Sequence, residues 1–295
     1  MRAAPAVLNR WESSVDFVKM HGTGNDFVLL DARALDLDWP SLAVKICDRH
    51  FGVGADGILL VTPSTRADFL MRMFNPDGSE SEMCGNGIRC FAKYVMDGGL
   101  LPAQRAHMTV ETLAGIQQVA ATLGEDGLVQ RVRVGMGAPR FAPKDIPVAQ
   151  SGAARIIDHP LQVEGGPFHV TCLSMGNPHA VAFLDQPVDQ VPLESIGPRV
   201  ERHPFFPRRV NFSIVNVLDR SHLKMRVWER GAGLTLACGS GACAVAVAAQ
   251  IKGLAGPSMD IDLPGGTLHL DWDGAGQVWL EGPAQLVFRG RWPDR

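Results

Sequence analysis

Apolar residues in this chain fall mostly into short runs, and a helical period takes over clearly only twice. From Ile88 they recur at Phe91, Ala92, Val95 and Met96, the i, i+3, i+4, i+7, i+8 spacing of a helix with one buried stripe. Gly98-Gly99 stops it. The second stretch, Ala242 to Ile251, is apolar on every side and predicts a helix buried all round, stopped at Gly253. Shorter helices are expected at 40–49, where Pro40 and Ser41 suit a helix start, and at 192–203. The remaining text is strand-like. Asp16–Met20 and Phe27–Leu30 flank a glycine turn, and strands are expected at Ile58–Val61, Asp68–Phe74, Val170–Ser174 and Val210–Leu218. From 107 on, Leu113-Ala-Gly and Gly124-Glu-Asp-Gly read as hairpin turns. Residues 137–166, rich in Pro and Gly, read as a crossing between halves, and Arg289 onward as a mobile tail. Many short strands with one substantial helix per half predict two homologous α+β domains, not a doubly wound sheet.

The homology is visible directly. Met71-Arg-Met-Phe-Asn-Pro-Asp-Gly-Ser-Glu-Ser-Glu-Met-Cys-Gly-Asn-Gly, ending at Gly87, and Met225-Arg-Val-Trp-Glu-Arg-Gly-Ala-Gly-Leu-Thr-Leu-Ala-Cys-Gly-Ser-Gly, ending at Gly241, align without gaps 154 positions apart. They share Met-Arg, an aromatic and a closing Cys-Gly-x-Gly, and each places a polar residue (Asn75 or Glu229) ahead of its cysteine (Cys84 or Cys238) at the same spacing.

Composition narrows the class. A chain of 295 residues with 46% hydrophobic and 20% charged positions is ordinary for a globular protein. A net charge of -3 gives no electrostatic reason to bind nucleic acid. No apolar run approaches the ~20 residues that span a bilayer, so no membrane partner is expected. Residues 1–14 resemble no secretory signal and read as a short disordered lead-in, which makes the cytoplasm the expected compartment. The six cysteines form no Cys-x-x-Cys pair and no His stands at finger spacing, so neither a disulfide framework nor a structural metal is expected. Gly52-Val-Gly-Ala-Asp-Gly57 matches G-x-G-x-x-G, but it precedes a strand where a dinucleotide fingerprint follows one and opens a helix. It reads as a glycine-rich turn near a site.

A cysteine at a helix N-terminus feels the positive end of the macrodipole, which draws it toward thiolate. The free amides of Gly85-Asn86 and Gly239-Ser240 can hold a carboxylate. Two such loops facing one another across a crevice would grip a carboxylate and place its α-carbon between two sulfurs. One sulfur would take the α-proton and the other deliver a proton to the opposite face, so the carbon inverts with no cofactor. Cys90 reads as packing.

The run from Asn75 to Cys90 resembles the first signature of the diaminopimelate epimerases, and Glu229-Arg-Gly-Ala-Gly-x-Thr-x-Ala-Cys-Gly-Ser-Gly-Ala the second. Lys19-Met-His-Gly-Thr-Gly-Asn-Asp-Phe, Met175-Gly-Asn-Pro-His-Ala and Arg209-Val-Asn211 are similar to further family motifs, in order over roughly residues 17 to 290. The resemblance implies a pyridoxal-independent epimerase interconverting LL- and meso-diaminopimelate on the way to lysine and peptidoglycan. It implies Cys84 and Cys238 as the acid/base pair, assisted by His179 and Glu229. Gly85, Asn86, Gly239 and Ser240 would hold the reacting carboxylate, and Asn25, Asn75, Asn177, Asn211, Glu229 and Arg230 the rest of the substrate. Each domain is expected to be a mostly antiparallel curved sheet or barrel around its central helix, with the site in the crevice between them. The boundaries expected are 15–131 and 132–282, with 283–295 packing back on the first domain and 1–14 as an extension. A homodimer is implied too. Gly57, Leu234 and Phe288 depart from the family pattern, and at Gly57 a side-chain contact to substrate would be missing.

Two other readings predict different behaviour. A proline or hydroxyproline racemase of the same fold would not need the far-end clamp that Glu229-Arg230 and the asparagines provide. A non-catalytic amino-acid-binding protein would survive loss of either cysteine.

Overall fold

The structure, a computed structural model, describes residues 14–102, 105–150 and 155–293. The lead-in read from residues 1–14 therefore lies outside the described residues, apart from Ser14, which opens the first strand.

The first half runs β1 (Ser14–Gly22), β2 (Asn25–Asp31), α1 (Trp39–Ile46), β3 (Gly57–Thr62), β4 (Phe69–Phe74), β5 (Glu80–Ser81), α2 (Gly85–Asp97), β6 (His107–Thr112), β7 (Gly115–Leu123) and β8 (Val129–Gly135). After β9 (Ile156–Val163) the order repeats: β10 (Gly166–Ser174), β11 (Pro178–Phe183), α3 (Leu193–Glu201), β12 (Asn211–Asp219), β13 (His222–Glu229), β14 (Gly233–Thr235), α4 (Gly239–Ile251), β15 (Ser258–Leu263), β16 (Gly266–Asp271) and β17 (Trp279–Pro283), with β18 (Gln285–Pro293) last. The pairing repeats as well. β1–β2 is antiparallel, β2–β3 parallel, β3–β4 antiparallel, β4–β6 parallel, and β6–β7–β8 an antiparallel meander. The second half follows the same signs from β10 through β17. The halves are stitched where β8 pairs antiparallel with β17.

Each half wraps its sheet around one helix. Ile88, Phe91, Ala92 and Val95 of α2 are fully buried among Leu29, Leu59, Met71, Val110 and Val134. In α4 alternating Ala and Val are buried on all sides against Val181, Val215, Met225, Ile261 and Leu270. Small side chains let strands approach from every direction. Truncating a residue such as Phe91 to Ala in such a core costs about 3–5 kcal/mol. Both helices end alike. Leu100 N bonds Val95 O across Gly99 (φ 68°), and Leu254 N bonds Ala249 O across Gly253 (φ 72°), a closure that needs the left-handed glycine. The outer sheet faces carry α1, where Ala43 and Ile46 pack with Val28, Ile58 and Phe74, and α3, where Leu193 and Ile196 pack with Val170, Ala180 and Phe212. Strands covered on both faces explain why β2, β3 and β11 read as unbroken apolar runs.

Three expectations need correction. Residues 137–166 are not only turns: β9 pairs with β10 across Val163 and Gly166. The stretch from Arg289 is not a loose tail, because β18 runs in register with β1 from Gln285 to Pro293 and covers its open edge. The helix expected over 40–49 ends at Ile46, because the Asp48 carboxylate captures the amides of His50 and Phe51.

Candidate active site

Cys84 and Cys238 are the N-cap residues of α2 and α4. Both have extended backbone angles, and each thiol accepts from the amide three residues on, Gly87 N at 3.4 Å and Gly241 N at 3.3 Å. The two helix N-termini meet: a Cβ added to Gly239 would lie 3.6 Å from the Gly85 Cα. Beside the junction opens a cavity of about 590 Å³ bordered by both thiols and by Asn25, Gly85, Asn86, Asn177, Glu229, Gly239 and Ser240. A larger groove of about 1040 Å³ runs along β1 and β18, but neither thiol lines it.

Each thiol ends a polar relay. In the first half the Asp56 carboxylate, paired with Arg49 at 2.7 Å, accepts from Asn25 Nδ2 at 2.7 Å. That turns Asn25 Oδ1 toward Cys84 Sγ (3.6 Å) and Asn86 Nδ2 (3.2 Å). In the second, Asn177 Nδ2 donates to Ser240 Oγ at 3.2 Å, which lies 3.5 Å from Cys238 Sγ. Asn177 Oδ1 then faces His179 Nε2 at 2.8 Å. Burial holds the His179 ring neutral, with its pKa down to about 3, and Arg230 adds to the shift.

Glu229 lies on the cavity wall, accepting from Thr235 Oγ1 at 2.6 Å, and burial raises its carboxyl above the ordinary value. Burial also raises both thiols, and Glu229 pushes Cys238 further up. The helix amides pull both down, as the macrodipole argument expects, but desolvation by burial outweighs them. The expected pull of the helix ends toward thiolate is thus present at both thiols and opposed by the cost of burial.

Four of the residues singled out from sequence do not border this cavity. His179 is fully buried behind Asn177. Asn211 bonds Pro178 O and the Arg230 amide, tying β11 to the loop after β13. Asn75 holds the β4–β5 turn through Ser79. Arg230 is exposed, with its guanidinium 3.4 Å from Arg208 O. Gly57 has no room for a side chain here, since a Cβ would meet Phe74 O at 2.8 Å. Sequence reasoning missed Met136, Arg140 and Gln117 on the cavity wall, and Asp56 and Arg89 behind it. The glycine-rich loop that delivers Asp56 was the signal available for that residue. Arg89 stands three positions after Asn86, on the same helix face.

The diaminopimelate epimerase family model matches residues 17–142 and 171–287. A diaminopimelate epimerase of Pelotomaculum thermopropionicum is 49% identical over 282 residues, covering 95% of this chain and 99% of the relative. One from Moorella thermoacetica is 51% identical over 280 residues, covering 94% and 99%. Among solved structures, a Bacillus anthracis phenazine biosynthesis protein of the PhzF family superposes with a TM-score of 0.69 at 19% identity, covering 95% of this chain and 99% of that one. A hydroxyproline epimerase from Agrobacterium vitis gives 0.69 at 16%, covering 97% and 94%. These two share the two-domain α+β fold. The long matches at about half identity go further, and this chain belongs to the diaminopimelate epimerase family.

Proposed function

We propose that this chain is an isomerase that interconverts LL- and meso-2,6-diaminopimelate by a two-base thiolate/thiol mechanism, supplying lysine and peptidoglycan precursors. The observation that carries the reading is a pair of helix-capping thiols opening on one cavity where two helix N-termini touch. The amides of Gly85, Asn86, Gly239 and Ser240 hold the carboxylate of the reacting centre. The substrate's α-ammonium brings a positive charge beside the thiols, which favours ionising one of them against the cost of burial. That thiolate removes the α-proton. The helix ends stabilise the charge that develops on the carboxylate side, and the opposite thiol protonates the other face. The acid and base are both side chains, so the reaction calls for no cofactor. Asn25, Asn177 and Glu229 orient the substrate, and His179 acts by holding Asn177. Asn75, Asn211 and Arg230 serve the far end of the substrate once the halves close over it.

The test is α-proton exchange in D2O with LL-diaminopimelate and no added cofactor. Turnover is expected, with near-complete loss in Cys84→Ser and in Cys238→Ser. Exchange with proline in its place, or turnover surviving either change, would overturn the assignment. Two copies are further proposed to pair. The exposed apolar row Leu286, Val287 and Phe288 on β18 supports this, and a monomeric mass by light scattering would refute it.

A further inference from the structure

Arg89 is the largest fully buried side chain in the described residues, and no carboxylate meets it. Its partners are all neutral: Pro283 O at 3.2 Å from Nε, Gly85 O at 3.1 Å and Asn86 Oδ1 at 3.0 Å from Nη1, and Thr23 Oγ1 at 3.2 Å from Nη2. Burying an unpaired cation is expensive, and a fold concerned only with packing would place an aliphatic residue here. The seat is built for the guanidinium. A Cβ on Gly22 would lie 3.0 Å from Nη2, and one on Gly282, from the other half of the chain, 3.1 Å from Nε.

The arrangement has one directional consequence. Arg89 can only donate, so it fixes the Asn86 amide with its oxygen inward and its nitrogen outward. That nitrogen donates to Asn25 Oδ1 and, across the seam, to Ala237 O, both at 3.2 Å. Asn25 Oδ1 faces Cys84, and Ala237 immediately precedes Cys238. One guanidinium thus controls the amide that ties the two cysteine loops together. The repeat offers no counterpart, because the position matching Arg89 in α4 is Cys243 and that matching Asn86 is Ser240.

We infer that Arg89 is a positioning residue for the proposed epimerisation: it locks Asn86 as a cross-seam strut that sets both thiols relative to one substrate carbon. This rests on the epimerase reading above. Its charge has a second effect. Among the ionisable groups around it, Cys84, Cys90, Cys243 and Arg131, Cys84 is the thiol that opens to the cavity, and Arg89 favours its ionised form while Glu229 opposes it.

Three variants test the inference: Arg89→Met, Arg89→Lys and Thr23→Ala, the last removing a single donor contact from an intact guanidinium. Each is assayed for kcat and KM with diaminopimelate, and for the pH dependence of Cys84 alkylation by iodoacetamide in a Cys238→Ser background. Arg89→Met is expected to lose about 100-fold or more in kcat, with the alkylation midpoint moved upward. Arg89→Lys keeps the charge without the fork, so its midpoint stays near the parent value while kcat remains about tenfold down. Thr23→Ala should lose several-fold in kcat with an unchanged pH profile. Folded Arg89 variants that match the parent in kcat and alkylation midpoint would overturn the inference. If neither Arg89 variant folds, parental kcat in Thr23→Ala overturns it. Failure of the unmodified enzyme to turn over diaminopimelate would sink the functional reading instead, and the alkylation profiles would still report on Arg89.

Discussion

Replacing Glu229 by Gln removes a negative charge beside Cys238 with little change in shape. The carboxylate raises the Cys238 thiol by repulsion and by accepting its proton, second only to burial. Two unit charges about 4 Å apart interact by about 4 kcal/mol at an effective dielectric of 20, which corresponds to a ceiling of about 3 pH units. Glu229 borders an open cavity, so water screens part of this, and a fall of about 1–2 units in the Cys238 midpoint is expected. The assay is the rate of iodoacetamide alkylation of Cys238 against pH, followed by mass spectrometry in a Cys84→Ser background. Alkylation at neutral pH should speed up about 10- to 100-fold. Turnover in the otherwise intact enzyme should fall, because a thiol that no longer holds its proton cannot deliver it. Thr235→Val is the control: it leaves the charge in place and should shift the midpoint far less. A Cys238 midpoint in Glu229→Gln that stays put or moves upward would refute the electrostatic account of this half of the site.

Gly197→Ala in α3 sets two effects against each other. Alanine gains about 1 kcal/mol in a helix interior, but the new Cβ would overlap the Trp228 ring, which is held by Nε1 on Glu201 at 2.8 Å. Overpacking should win, with a net loss of about 1–3 kcal/mol in urea unfolding and α-proton exchange per folded molecule unchanged. His179 has its folded pKa depressed from 6.5 to about 3, so the unfolded chain takes up a proton that the fold refuses. Its linkage therefore removes stability as pH falls from 6.5 toward 3, about 2 kcal/mol of it by pH 5. Urea midpoints at pH 7.5 and 5.0 should show this slope, and His179→Gln should flatten it.

The two central helices were legible because each carries an extreme pattern. One is a clean single stripe from Ile88 to Met96, the other an apolar run with no polar face, and both have glycine stops. The cysteine loops were legible because the chain states them twice. β9 was not, since Ile156–Val163 contains Asp158, His159 and Pro160 and takes its strand conformation from pairing with β10. β18 was misread for a related reason: its side chains are largely exposed, and what holds it is the backbone edge of β1, which no local pattern reveals. Arg89 was passed over because a charged residue is exposed by default. Only the three-residue spacing to Asn86 hinted that it faces inward.

Duplication alone would make the two thiols of the site interchangeable. A repeated frame carries two thiols to the same junction with mirrored geometry, and identical surroundings would give them equal intrinsic affinity for the one proton the coupled pair holds between its two titration steps. The divergent positions break the tie. Where the first half has Asn75, Asn86 and Arg89, the second has Glu229, Ser240 and Cys243. Burial raises both thiols; Glu229 raises Cys238 next after burial and raises Cys84 less, and at Cys84 the Arg89 cation pulls the other way. The relays act in the opposite sense, because the Cys84 thiol donates to an amide oxygen and is thereby favoured in its protonated form, whereas Ser240 pulls the Cys238 thiol down. Asn25, anchored on the Asp56 anion, presents its oxygen to Cys84, while Asn177, backed by a neutral His179, presents its nitrogen to Ser240. Strand pairing preserved the mirror that inversion requires, and side-chain divergence made the two thiols inequivalent within it.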